Sequence, residues 1–156
     1  MIVMIDYSKK SAIEKEVDID ICATVGRIYK LALKENYELE DFSDSFLKSS
    51  FCRREFDTIY SCFQLDDDAS MWYIDKELKN RLIKTTVFQD EDLAYWIGFM
   101  YRYIYIRTEI SSSKIVQIVP FKQMSYYVSN YILPMESYIY DELYDVINKD
   151  IDFSKC

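Results

Sequence analysis

Histidine is missing from the sequence altogether. Its absence removes Ser-His and Cys-His nucleophilic pairs, imidazole acid–base catalysis and histidine-ligated zinc together. Glycine occurs only twice, so no Gly-rich phosphate loop of the dinucleotide or nucleoside-triphosphate kind can be written; a backbone that closely approaches phosphate needs residues without side chains. Proline also occurs only twice, and so few turn-formers argue against a β-sandwich or barrel. Long apolar runs are missing too: Arg102 and Arg107 interrupt the most apolar segment, which falls short of the roughly 18 residues that read as a membrane span. The opening Met1-Ile2-Val3-Met4-Ile5-Asp6 is too short an apolar run for a signal peptide. Cys22, Cys52, Cys62 and Cys156 show no C-x-x-C spacing, which reads as reduced thiols in a cytoplasmic protein.

What is present describes one globular domain. The chain has 156 residues, half of them apolar and 17% aromatic, enough to bury a sizeable core. We expect a single domain over 1–156, with an ordered core over about 10–148 and a polar tail over 149–156. The formal charge of −8 repels nucleic acid at long range unless basic groups gather on one face. Those groups are scattered, the densest being Lys9-Lys10, Arg53-Arg54 and the stretch Lys76, Lys79, Arg81, Lys84.

Apolar residues recur at helical spacing along most of the chain. Ile13, Val17, Ile21, Val25, Ile28 and Leu31 predict a first helix ending near Asn36. Leu39, Phe42, Phe46 and Leu47 predict a second, and Ser49-Ser50 offers a stop and a cap before a short third piece carrying Phe56, Ile59, Tyr60 and Phe63. Asp66-Asp67-Asp68 suits a helix start, with Met71, Trp72, Ile74, Leu78 and Leu82 as its apolar positions. Thr85-Thr86-Val87-Phe88 is β-branched enough to be extended. Asp90-Glu91-Asp92 then opens a segment that is apolar on every side, as expected of a helix in the middle of a bundle. Gly98 inside it implies close approach of a neighbouring helix. Ser111-Ser112-Ser113 caps a short helix that Pro120 ends; Phe121 to Tyr131 form the next, Pro134 breaks the chain, and Tyr138 to Ile147 form the last. The expected fold is therefore all-α, a bundle of six to eight helices around a buried helix over about 91–109.

Candidate chemistry is sparse. The carboxylates at Asp66 to Asp68 and Asp90 to Asp92 have the composition to hold a hard cation, but their positions at helix starts fit capping better. Asp141, Glu142 and Asp145 read as a solvated face. Cys22, Cys52 and Cys62 read as core filler, and Cys156 as an exposed terminal thiol. Arg102 is expected to pair with a buried carboxylate, since an unpaired buried charge costs several kilocalories. Tyrosine is abundant, with 15 copies, and it is enriched where a partner buries a surface. Tyr126, Tyr127 and Tyr131 are the candidates for such a contact. The segment 99–128 has a helix-turn-helix outline, yet its would-be reading helix offers DNA only Lys122 and Gln123.

The run Ala94-Tyr95-Trp96-Ile97-Gly98-Phe99-Met100-Tyr101-Arg102-Tyr103, followed by Ser111-Ser112-Ser113-Lys114-Ile115 and Val119-Pro120, resembles a family of small helical proteins from gut Firmicutes and Bacteroidetes built around an A-Y-W-x-G-x-x-Y-R-Y core. Phe51-Cys52-Arg53 and Phe63-Gln64 are also similar, so the resemblance covers roughly 39–132. Members often sit beside genes for ADP-ribosyltransferase-like proteins, an arrangement like a toxin–antitoxin cassette, and the resemblance implies an accessory or neutralising partner. It carries over no catalytic residue. It implies Trp96, Gly98 and Arg102 as the central packing and contact positions, and Tyr95 and Tyr103 of the same run are candidates beside them. Ile132 to Met135 departs from the pattern by lacking a histidine there.

The leading expectation is a non-enzymatic protein-binding module that needs neither cofactor nor metal and binds neither nucleic acid nor membrane. One alternative is a DNA-associated regulator using 99–128. Another is a cation-assisted enzyme working with carboxylates and tyrosines.

Overall fold

The structure is a computed structural model and describes residues 6–58, 66–133 and 139–156. Among these residues the chain forms eight α-helices and no strand: α1 (Ala12–Lys34), α2 (Leu39–Leu47), α3 (Ser50–Glu55), α4 (Asp67–Leu78), α5 (Glu91–Thr108), α6 (Ser112–Ile118), α7 (Phe121–Tyr131) and α8 (Tyr140–Ile151). The expected all-α bundle is what forms. Ile59, Tyr60, Cys62, Phe63, Pro134 and Tyr138 lie outside the described residues.

Local chemistry sets the helix starts. Ser11 and Glu14 form a reciprocal capping box on α1, and Ser49, Asp66 and Ser111 each accept the N–H three residues on. The Asp90 carboxylate accepts from both Asp92 N and Leu93 N. Both carboxylate clusters thus begin helices, where they satisfy orphan N–H groups and oppose the positive dipole end. The buried helix ends at Glu109, whose φ of 56° is left-handed.

α5 occupies the centre. It packs along α1 more extensively than any other pair and also touches α6, α7 and α8, while α4 lies against α1. Ala94, Ile97, Phe99, Met100, Tyr101, Tyr103 and Ile104 are all buried along it. Tyr101 Oη donates to Val119 O at 2.7 Å, tying α5 to the end of α6, and Tyr29 Oη shares a hydrogen bond of 2.7 Å with Ser43 Oγ.

Several details depart from the expected pattern. Ile13, placed on the apolar stripe of α1, is exposed, because the first turns of α1 project beyond the packed seam. Trp72 on α4 is likewise exposed. The segment 85–88 is a loop, with only an isolated antiparallel bridge between Tyr37 and Lys84 beside it. At the C-terminus α8 runs on to Ile151 and a 3-10 turn follows at Phe153–Lys155. Phe153 is fully buried against Tyr144, with ring centroids 5.9 Å apart; one apolar residue anchors a tail whose polar neighbours suggested solvent.

Candidate functional site

The residues of the aromatic motif on α5 first build the α1–α5 seam. A Cβ on Gly98 would lie 2.7 Å from the Tyr29 ring and 3.0 Å from Val25 O, both on α1. The relation is reciprocal: a Cβ on Gly26 of α1 would lie 2.6 Å from the Tyr95 ring and 2.8 Å from Tyr95 O. The chain's two glycines therefore let two helices approach at one crossing. Tyr95 and Trp96 are half-buried with rings edge-on at 5.1 Å, and Trp96 leans on Phe99 at 4.9 Å.

Arg102 is buried and does meet a carboxylate. Its Nη1 donates to Phe56 O and lies 3.8 Å from Asp57 Oδ1, and its guanidinium stacks on the Tyr105 ring at 4.2 Å. Asp57 is held by Ser112, whose N and Oγ donate to it at 2.9 and 2.6 Å. Burial lowers the Arg102 pKa and raises that of Asp57, with Ser112 and then Arg102 opposing the rise. This buried pair joins the end of α3 to α5 and the start of α6. Cys22 and Cys52 are buried as expected, and burial raises both thiols, Cys52 to about 12. Neither is a poised nucleophile. Cys156 is half-buried rather than exposed, its Sγ 3.8 Å from Asp152 O.

Tyr103 is buried, and its hydroxyl donates to Asp141. Asp141 also lies 3.6 Å from Arg107 Nη1, so it belongs to a network and not to a merely solvated face. Arg107 in turn lies over the Tyr144 ring at 4.2 Å and the Tyr7 ring at 5.0 Å. Tyr7, Tyr103, Arg107 and Asp141 line a groove of about 520 Å³ between the start of α1, α5 and α8, with Tyr140, Lys15, Glu16 and Asp20 at its sides. Within the groove Arg107 and the Tyr103 hydroxyl are already paired with Asp141. Burial first, then Asp141, raises the Tyr103 pKa, which makes it a poor proton donor.

Of the three tyrosines expected to meet a partner, Tyr126 and Tyr131 are exposed. Tyr127 is buried and donates to Asp150 Oδ2 at 2.8 Å; it holds α7 to α8 and is a packing residue. The exposed side of α7 carries Lys122, Gln123, Tyr126, Ser129 and Asn130, a single positive charge.

The largest exposed apolar residues lie elsewhere. Five of the eight large exposed hydrophobics among the described residues, Trp72, Tyr73, Ile83, Val87 and Phe88, fall on α4 and the loop after it. Val87 is 74% exposed and Phe88 87% exposed, yet the loop is firmly held on both sides. Thr85 N donates to Asn36 O at 2.8 Å. The Gln89 side chain accepts from Leu39 N at 2.7 Å and donates to Tyr37 O at 2.8 Å. Gln89 thus caps α2, whose N-cap residue Glu38 makes no side-chain cap. Behind the loop, Tyr37 Oη donates to Asp75 Oδ1 at 2.6 Å. Burial and the nearby Asp75 raise Glu35 from 4.5 to about 7. The apolar fingertip went unmarked in the sequence because Val87-Phe88 reads as strand; the signal was an apolar pair closely followed by the acidic cap Asp90.

Comparison of the chain with protein-family models, curated proteins and solved structures found no match. Among the described residues no helix is long and apolar enough to cross a membrane.

Proposed function

We propose that the chain is a non-enzymatic protein-binding module, an antitoxin-like or accessory partner of an ADP-ribosyltransferase-like protein. The observation that carries the binding reading is the Val87–Phe88 finger, two large apolar side chains held out in solvent by a loop pinned at Thr85 and Gln89. Leaving such side chains in water forgoes about 1.5–3 kcal/mol each. Holding them on a constrained loop reduces the ordering cost of docking. Exposed acidic residues follow at once in Asp90, Glu91 and Asp92, so the finger fits an apolar socket with a basic rim. The same charges disfavour an anionic membrane. The choice of a transferase as partner rests on the resemblance of the α5 motif.

Co-expression with an ADP-ribosyltransferase-like protein tests the reading. It predicts a stable complex on size-exclusion chromatography and lower transferase activity in that complex. A transferase that elutes alone with unchanged activity would overturn the assignment of partner.

A further inference from the structure

The finger has a counterpart on the same chain. Arg54 of α3, from the pair Arg53-Arg54, and Lys76 of α4 and Arg81, from the stretch Lys76, Lys79, Arg81, Lys84, line one recess of about 430 Å³. Its apolar wall is Tyr73, 43% exposed, which stacks on the buried Phe51 with ring centroids 5.8 Å apart and planes 11° apart. Glu77 also lines it, but both its carboxylate oxygens are committed, accepting from Ser50 N and Phe51 N at 3.0 Å each. In a chain of net charge −8, this is a local basic, aromatic recess.

We propose that this recess receives the Val87–Phe88 finger of a second copy of the chain, so that the protein associates with itself. Both kinds of complementarity are present. The apolar tip meets the exposed Tyr73 ring, and Glu91 and Asp92 at the base of the finger meet Arg54, Lys76 and Arg81 at the rim. Within one chain the finger stays in solvent, pinned by its bonds to Asn36, Tyr37 and Leu39 at the start of α2, while Ser50 and Phe51 of the recess lie past the end of α2. Reciprocal insertion across a two-fold axis closes the assembly as a dimer with two such contacts. The inference rests on the reading of the finger as a docking element, and it adds that self-association competes with capture of a different partner.

Sedimentation velocity of the purified full chain across a concentration series tests this. The expected result is a dimer that weakens as salt is raised, because its rim contacts are charged and exposed. Phe88→Ser removes the tip, and the double variant Arg54→Glu, Arg81→Glu reverses the rim. All these side chains are exposed, and circular dichroism melts check that each variant folds. Each variant alone should sediment as a monomer, with association weakened about tenfold or more, as for loss of an interface anchor. Mixed, the two should form a one-to-one complex, because one supplies an intact recess and the other an intact finger. A wild-type chain that is monomeric at every concentration overturns the proposal, as does a dimer that neither variant disturbs. Binding of a single-stranded oligonucleotide that the rim reversal abolishes, with no change in sedimentation, also overturns it by giving the recess to nucleic acid. Should wild-type self-association be absent while Phe88→Ser still weakens binding to a transferase-like partner, the dimer fails and the docking reading stands.

Discussion

Gly98 and Gly26 lie at one helix crossing, and the space each leaves is filled by a tyrosine from the opposite helix. Gly98→Ala should therefore destabilise by about 1–3 kcal/mol through overpacking, although alanine is the better helix former. A chemical denaturation curve measures this, and Gly98→Leu should prevent cooperative folding. Arg102→Ala should cost about 3–5 kcal/mol, the range for breaking a buried pair, because Asp57 keeps its burial and loses its cation. Glu35 sets a pH dependence. Its folded pKa, raised from 4.5 to about 7, favours the protonated form in the folded state. Its stabilising contribution is complete below the unfolded value and is lost as pH rises through the folded one. Melting temperature should fall from mildly acidic to mildly alkaline pH, and Glu35→Gln should flatten that part of the profile. A wild-type curve already flat there contradicts the assignment.

At the level of elements, the loop before α5 is held by Gln89, which bonds Leu39 N and Tyr37 O across a separation of about fifty residues. Gln89→Ala removes both bonds and leaves Leu39 N without its cap, so it should cost about 1–2 kcal/mol. Hydrogen exchange should then rise at the start of α2. This bond explains what could be read in the sequence and what could not. α1 and α5 were legible because apolar spacing and caps at Ser11 and Asp90 are short-range signals, and the place of Gly98 followed from its cost in a helix. The partner of Gly98 on α1, and the matching role of Gly26, depend on how two helices cross and leave no local mark. Arg102 announced a buried carboxylate without saying that it would be Asp57. The loop over 85–88 has the β-branched composition of a strand, but no second strand pairs with it beyond Lys84, and side-chain bonds from Gln89 decide its shape. Phe153 was masked by the polar residues around it.

Across the whole molecule, the charge distribution matters more than the total. The acidic chain places Asp90, Glu91 and Asp92 beside an apolar fingertip and gathers Arg54, Lys76 and Arg81 around an aromatic recess. Among the described residues only Tyr73, Tyr126 and Tyr131 of the tyrosines are exposed; Tyr29, Tyr101, Tyr103, Tyr127 and Tyr144 are buried, each with a polar or aromatic contact that ties its helix to a neighbouring element. Most of the large exposed apolar side chains among the described residues lie instead on α4 and the loop after it, the surface proposed above for docking. The most direct test is the affinity of the wild-type chain and of Phe88→Ser for an ADP-ribosyltransferase-like protein, the partner proposed above, measured by calorimetry. The account predicts that Phe88→Ser binds about thirtyfold more weakly, as for an interface hot spot of about 2 kcal/mol, with an unchanged melting temperature. Equal affinity of the two proteins would contradict it.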